Sequence, residues 1–200
     1  CDPDHHESGR HPMTTVVVLS GGLDSATVLY RLRADGHAVA GLAVNYGQRH
    51  ARELVAAKAV CDHAGVPLTA VDLSGLAAVF GGAALTDPSA PLPDADYSAD
   101  TVAVTTVPNR NMILLAVAIG RAAATGADAV AFGAHHNPVA NYPDCRPAFA
   151  DAMDRAAQVC DARPVRVLAP YINVPKAAVV ADGARLGVPF ALTWSCYRGG

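Results

Sequence analysis

The sequence predicts an α/β fold, a parallel five-stranded sheet with helices on both faces. Three observations carry this expectation. Short β-branched or apolar runs alternate five times with longer helix-like segments. Glycine or proline punctuates the segment ends at Gly36, Gly65, Pro175 and Gly187. A hydrophobic content of 52% over 200 residues suits one domain with a sizeable core. A helix between two strands forces a crossover, and crossovers give parallel pairing.

The elements are expected in this order. Residues 14–19 form a buried strand, and 24–34 a helix ended by Gly36. Residues 38–45 are the second strand, and 48–64 a long helix stopping before Gly65. Residues 67–72 are the third strand, followed by one helical turn over 76–80. The stretch 81–107 is rich in Pro, Asp, Ser and Gly and keeps no period. A loop of that length inside a compact domain is usually functional or mobile. Residues 109–125 read as a helix apolar on every side and therefore buried. The fourth strand is 129–133, with a polar loop over 135–145. A helix over 146–160 has Pro147 in its first turn, and 165–169 is the fifth strand. Residues 175–186 form a helix opened by proline and ended at Gly187, and 190–200 are irregular. No internal repeat or interdomain linker is visible.

Composition narrows the function classes. The net charge of −3 and the lack of like-charge blocks argue against a broad nucleic-acid footprint. No apolar run reaches the ~18 residues of a membrane span. Residues 1–12 are polar, carry His5, His6 and His11, and lack an apolar signal core. They are expected to be a disordered extension before a natural start at Met13, leaving 13–200 as the catalytic domain. The five cysteines, at 1, 61, 145, 160 and 196, form no C-x-x-C pair. They read as reduced thiols of a cytoplasmic protein.

The chemistry is signalled between the first strand and first helix, at Ser20-Gly21-Gly22-Leu23-Asp24-Ser25. Gly21 and Gly22 let a backbone approach an anion and take conformations closed to other residues. A helix start presents N–H groups and the positive end of its dipole, and Ser20 and Ser25 add hydroxyls. Asp24 is informative, because a carboxylate beside a phosphate repels it unless a cation bridges them, so Mg²⁺ is expected. The loop matches neither G-x-x-x-x-G-K-[ST] nor G-x-G-x-x-G. The bland alternative is a strand–helix turn capped by Ser or Asp.

This segment resembles the S-G-G-x-D-S signature of PP-loop ATP pyrophosphatases, which cleave ATP between the α and β phosphates and adenylate an oxygen. Four further segments narrow the likeness: Asn45-Tyr46-Gly47-Gln48-Arg49-His50, Asn109-Arg110-Asn111, Tyr142-Pro143-Asp144-Cys145-Arg146 and Trp194-Ser195-Cys196-Tyr197-Arg198-Gly199-Gly200. Together they resemble the 7-cyano-7-deazaguanine synthase family of queuosine biosynthesis, from Met13 to Gly200. The resemblance implies a Rossmann-like PP-loop fold. It also implies ATP-dependent conversion of 7-carboxy-7-deazaguanine and ammonia to a nitrile, by activation of the carboxylate and then of the amide.

It further implies that ATP binds along Leu19, Ser20, Gly21, Gly22, Leu23, Asp24, Ser25, Ala26 and Thr27. Asp24, Ser25, Arg110 and Lys176 are the expected catalytic residues. Tyr46, Gln48, Arg49, Asn111, Tyr142, Asp144 and Arg146 are the expected substrate contacts. Arg49 and Arg110 suit bidentate contact with phosphate or carboxylate, or a surface ion pair. Tyr46 suits stacking on a purine-like ring, or packing. Asp144 and Arg146 read the deazaguanine edge or pair with each other. Lys176 opens a helix, where its charge opposes the dipole and favours an anionic partner, a solvated lysine being the alternative. Cys145 reads as structural rather than nucleophilic, and His135 and His136 as a polar pocket-lining loop rather than metal ligands.

The family's Ser-Cys-Tyr cysteine joins three later cysteines in a structural Zn²⁺ site. Cys196 matches the first and the sequence stops at Gly200, so truncation is expected and one thiolate does not build a four-coordinate site. The family's usual acids stand as Pro138 and Ala148 here, which is expected to weaken catalysis or shift the substrate. Other PP-loop ligases, tRNA-modifying enzymes and a non-catalytic nucleotide-binding paralogue remain alternatives. Partners are expected to be small molecules, with neither membrane nor direct nucleic-acid contact, and with a homodimer as the assembly to consider.

Overall fold

The computed structural model describes residues 11–47, 52–78, 107–136 and 142–194. Five strands form one parallel sheet: β1 (Thr14–Val18), β2 (Ala38–Asn45), β3 (Leu68–Asp72), β4 (Ala129–Ala131) and β5 (Arg166–Leu168), in the spatial order β3-β2-β1-β4-β5. Five α-helices are described: α1 (Leu23–Ala34), α2 (Arg52–Ala64), α3 (Arg110–Thr125), α4 (Pro147–Ala157) and α5 (Lys176–Arg185). All five expected strands form, the fourth and fifth being trimmed to three residues each. The turn expected over 76–80 is a 3₁₀ turn at Ser74–Ala78.

Alternation along β1 divides the core. Val16 packs with Leu115, Ala118 and Ile119 of α3 and with Ala150 and Met153 of α4. Val17 and Leu19 point the other way, into Val28 and Leu29 of α1, Val60 of α2 and Val179 of α5. Side chains alternate across a strand, so one run of β-branched residues serves both layers. Each fully buried Leu or Val contributes about 1.5–3 kcal/mol. Crossovers from β1 toward β3 put α1 and α2 on one face. Crossovers from β3 back to β4 and β5 put α3 and α4 on the other, as right-handed connections require.

One expectation is corrected. The helix starting at 109–110 is not buried all round. Leu115, Ala118, Ile119 and Ala122 face the sheet, whereas Met112 is 51% exposed and Ala116, Gly120 and Ala124 lie on the outer face. Its small outer side chains add hydropathy without needing cover, which is why the sequence overstates burial. Asn109 before it holds a left-handed φ of 55°, which an Asn tolerates.

Candidate active site

The sheet order creates the site. From β1 the chain moves outward through β2 and β3, then returns to β4 on β1's other side. At such a switch point the loops leaving the carboxyl ends of two adjacent strands diverge and open a crevice. A cavity of about 180 Å³ lies there. The phosphate-loop candidates Ser20, Asp24 and Ser25 line it with Val18. Tyr46 follows β2, Glu53 stands on α2, and Arg110, Asn111 and Leu114 open α3. Phe132, Gly133 and Ala134 follow β4, and Cys145 ends a 3₁₀ turn at Pro143–Cys145.

The loop is braced by its own groups. Gly21 has φ +79°, and a Cβ there would stand 2.2 Å from the Glu53 carbonyl oxygen, so neither its conformation nor its space admits another residue. Gly22 departs from expectation: at φ −79° and ψ 162° it is ordinary extended backbone. It is also the residue before α1, so neither Ser nor Asp caps that helix. The Ser25 hydroxyl donates to the Gly22 carbonyl at 3.0 Å and accepts from the Ser20 backbone N–H at 3.2 Å. The Ser20 hydroxyl accepts the Gly22 N–H at 3.3 Å. The two serines therefore shape the loop as well as lining the cavity. Leu19, Ala26 and Thr27 are buried in the core and do not line it. Trp194 donates its backbone N–H to the Gly21 carbonyl at 2.9 Å, and its ring lies beneath the Arg52 guanidinium at 5.0 Å.

Asp24, in the first turn of α1, meets two groups from distant elements. The Lys176 ammonium at the start of α5 is 2.5 Å from Asp24 Oδ1. His135 Nε2 faces Asp24 Oδ2 at 3.9 Å. The anionic partner expected for Lys176 is thus Asp24 itself, which relieves the conflict between the lysine and its helix dipole. Gly133 sets the approach: a Cβ there would meet the Ser25 backbone nitrogen at 2.9 Å. Only a glycine lets the exit of β4 lie against the start of α1.

Across the cavity, burial raises the Tyr46 pKa, while the neighbouring Arg110 opposes that rise by its charge and a hydrogen bond, and Glu53 adds to it. Tyr46 packs with Val107, Leu76, Ile113 and Leu114. Asn111 joins α3 to the 3₁₀ turn. Its backbone N–H donates to Asp144 Oδ2 at 3.3 Å, and its amide donates to the Asp144 carbonyl at 3.2 Å and to Cys145 Sγ at 3.5 Å. Burial, then the Asp144 charge, push the Cys145 thiol up to about 11. A thiol held protonated is a poor nucleophile. Asp144 spends its carboxylate on Asn111. Arg146 stands exposed before α4, and neither it nor Tyr142 lines the cavity.

Comparison with known proteins decides the family. The model of the family described as "Queuosine biosynthesis protein QueC" matches residues 14–200. The chain belongs to this family. It is 47% identical to the 7-cyano-7-deazaguanine synthase of Chromohalobacter salexigens over 92% of this chain and 73% of that protein. It is 45% identical to that of Marinobacter nauticus, covering 93% and 84%, and 45% identical to that of Brucella anthropi, covering 94% and 82%. Among solved structures, the U34-tRNA thiolase NcsA of Methanococcus maripaludis, with its [4Fe-4S] cluster, superposes with a TM-score of 0.55 at 17% identity. That match covers 94% of this chain and 63% of that one. The predicted tRNA methyltransferase subunit of Methanocaldococcus jannaschii gives 0.52 at 12% identity, covering 86% and 74%. At those identities the likeness is one of fold, and it agrees with the PP-loop α/β architecture expected from the sequence.

Several expectations lie outside the described residues: the extension over 1–10, Gln48, Arg49, most of the 81–107 loop, Pro138 and the zinc ligand Cys196. Ala148 is exposed at the start of α4, away from the cavity. Among the described residues no three His, Cys, Asp or Glu side chains gather as a metal site. The Asp24 carboxylate at a helix start does suit a divalent cation shared with phosphates. No described helix is long and apolar enough to cross a membrane. Sequence reasoning missed Glu53, Phe132 and Ala134 as lining residues; His135, expected in a polar pocket-lining loop, faces Asp24 instead of lining the cavity. The one available signal was Gly133, the glycine that ends the expected fourth strand two residues before His135.

Proposed function

We propose that this chain is an ATP-dependent carbon–nitrogen ligase that converts 7-carboxy-7-deazaguanine and ammonia to 7-cyano-7-deazaguanine, acting on small molecules in the cytoplasm. Membership of the family supports the reaction. The observation that carries it to residues is the shared cavity where Ser20, Asp24 and Ser25 face Arg110 and Tyr46. A carboxylate is a poor electrophile, and adenylation by ATP with Mg²⁺ supplies the missing leaving group. The chain's own groups do the rest. The start of α1, with Ser20 and Gly21, would cradle the departing phosphates, and Asp24 would hold the cation. Lys176, held at the Asp24 carboxylate, would supply positive charge to the leaving pyrophosphate. Arg110 binds the substrate carboxylate, and the buried Tyr46 beside it closes the ring pocket.

Ammonia then displaces AMP to give the amide, and a second activation of the amide oxygen allows its loss and leaves the nitrile. The free thiols of Cys61, Cys145 and Cys160 suit a reducing compartment. Incubation with 7-carboxy-7-deazaguanine, ammonium and Mg-ATP tests the reading by mass spectrometry and nucleotide chromatography. The expected outcome is the nitrile, with two AMP and two pyrophosphate per product. AMP release without amide or nitrile would overturn the substrate assignment, and absence of AMP would overturn ATP use.

A further inference from the structure

We propose that Trp194 is a positioning residue for the phosphate loop: its backbone N–H fixes which face of the Gly21–Gly22 peptide is turned to the phosphates. This deepens the reading above and rests on its use of ATP.

A trans peptide is planar, so its carbonyl and its N–H point in opposite directions. The Gly21 carbonyl accepts the Trp194 N–H at 2.9 Å. The Gly22 N–H of the same peptide is thereby turned the other way, to the Ser20 hydroxyl at 3.3 Å. Ser20 lines the cavity and Trp194 does not. An anion-binding loop needs this arrangement, because N–H groups attract phosphate oxygens and a carbonyl repels them.

The loop's own covalent structure does not enforce that choice. Turning the peptide over changes only the ψ of Gly21 and the φ of Gly22, and glycine accepts both signs of φ. Gly22, at φ −79°, is extended here and as a glycine is equally free to take the positive φ of the overturned peptide. Once released by Trp194, the Gly21 carbonyl could swing toward the phosphates and weaken their binding.

Trp194 is itself seated from two sides. Its ring lies 5.0 Å beneath the guanidinium of Arg52, the first residue of α2. The same first turn of α2 presses on Gly21, where a Cβ would stand 2.2 Å from the Glu53 carbonyl oxygen. Before Trp194, the Thr193 hydroxyl donates to the Phe190 carbonyl at 2.8 Å and closes the 3₁₀ turn Phe190–Leu192. The Phe190 ring lies against Gly183 of α5, where a Cβ would meet it at 2.9 Å. The Trp194 indole N–H is buried and meets no acceptor among the described residues. Stacking, not a side-chain hydrogen bond, therefore holds the ring.

The sequence has one tryptophan, so ¹⁵N-tryptophan labelling of the native protein gives one backbone amide signal and one indole signal, both from Trp194. The backbone amide proton should exchange slowly with solvent. It should shift and exchange more slowly still when Mg²⁺ and α,β-methylene-ATP bind, whereas AMP, which lacks the departing phosphates, should move it little. Trp194→Phe keeps a ring under Arg52 and should retain affinity for the analogue by calorimetry. Trp194→Pro removes the donor and should bind the analogue on the order of tenfold more weakly, with a smaller loss for AMP. An amide that exchanges freely, or that ignores the bound analogue, would overturn the proposal without any variant. So would native affinity in Trp194→Pro, or equal losses for the analogue and AMP, which would mark general support of the fold. Each of these leaves the ATP reading standing. Failure of the native protein to bind the analogue with Mg²⁺ overturns both.

Discussion

Arg110 shows how one residue acquires meaning from its neighbours. Its guanidinium opens α3, lines the cavity, and offsets part of the rise that burial imposes on the Tyr46 hydroxyl. Replacing it with Ala removes a fixed cation from a sheltered site, so AMP formation with 7-carboxy-7-deazaguanine should fall by about 10²-fold or more. Arg110→Lys should recover little of this, because an ammonium lacks the planar fork that matches a carboxylate. Steady-state rates for both variants check the expectation, and full activity in Arg110→Lys would refute it. Cys145 carries the opposite lesson. A cysteine beside an aspartate in a conspicuous motif invites a nucleophile assignment, yet burial and that aspartate keep its thiol protonated.

At the scale of elements, the close approach of β4's exit to α1 is the decisive contact. Gly133→Ala would place a methyl 2.9 Å from the backbone nitrogen of Ser25, an atom that cannot swing aside. The helix start must shift, so the variant should lose about 1–3 kcal/mol in urea unfolding and show a raised KM for ATP. Gly120→Ala is the control. Its Cβ meets nothing within 4 Å on the outer face of α3, and alanine favours helix by about 0.5–1 kcal/mol, so this variant should be more stable and equally active. The same helix shows why an apolar count misjudges burial. Ala116, Gly120 and Ala124 are small enough to face outward without a partner.

For the whole molecule, the last helix is fastened to the first. Tyr171 donates to Asp182 Oδ2 at 2.5 Å, Arg185 holds Oδ1 at 2.6 Å, and Arg31 of α1 stands 3.6 Å from Oδ2. These partners, the tyrosine first, hold the Asp182 carboxyl below its usual 3.8. The sign follows from linkage. A lowered folded-state pKa means that the ionised form favours folding, so the stabilisation is complete above the ordinary carboxyl value and is lost as pH falls through the lowered one. Asp182→Asn should therefore lower Tm at pH 7, and the gap to the native protein should narrow as pH falls below the ordinary carboxyl range. Thermal unfolding across that range checks it, and a gap that is constant with pH would assign the effect to packing. Loosening α5 also loosens Lys176 and hence its grip on Asp24, so the same variant should weaken ATP binding.

The order of strands and helices, the phosphate loop and the family resemblance were all legible in the sequence, because each is written in local signals: alternation, β-branched runs, glycine and proline punctuation, and contiguous motifs. Pairings were not. Asp24 meets Lys176 across 152 residues, and His135 turns its Nε2 to the same carboxylate. Glu53 reaches the cavity from a helix that the sequence marks only by its period. Those contacts depend on β4 pairing beside β1 instead of extending the sheet beyond β3. Alternation alone allows either arrangement. By itself the sequence determined which chemistry-bearing groups the chain owns and which strand ends they follow. The tertiary structure alone decided which of them share a site, because packing of the whole sheet selects the switch point that brings them together.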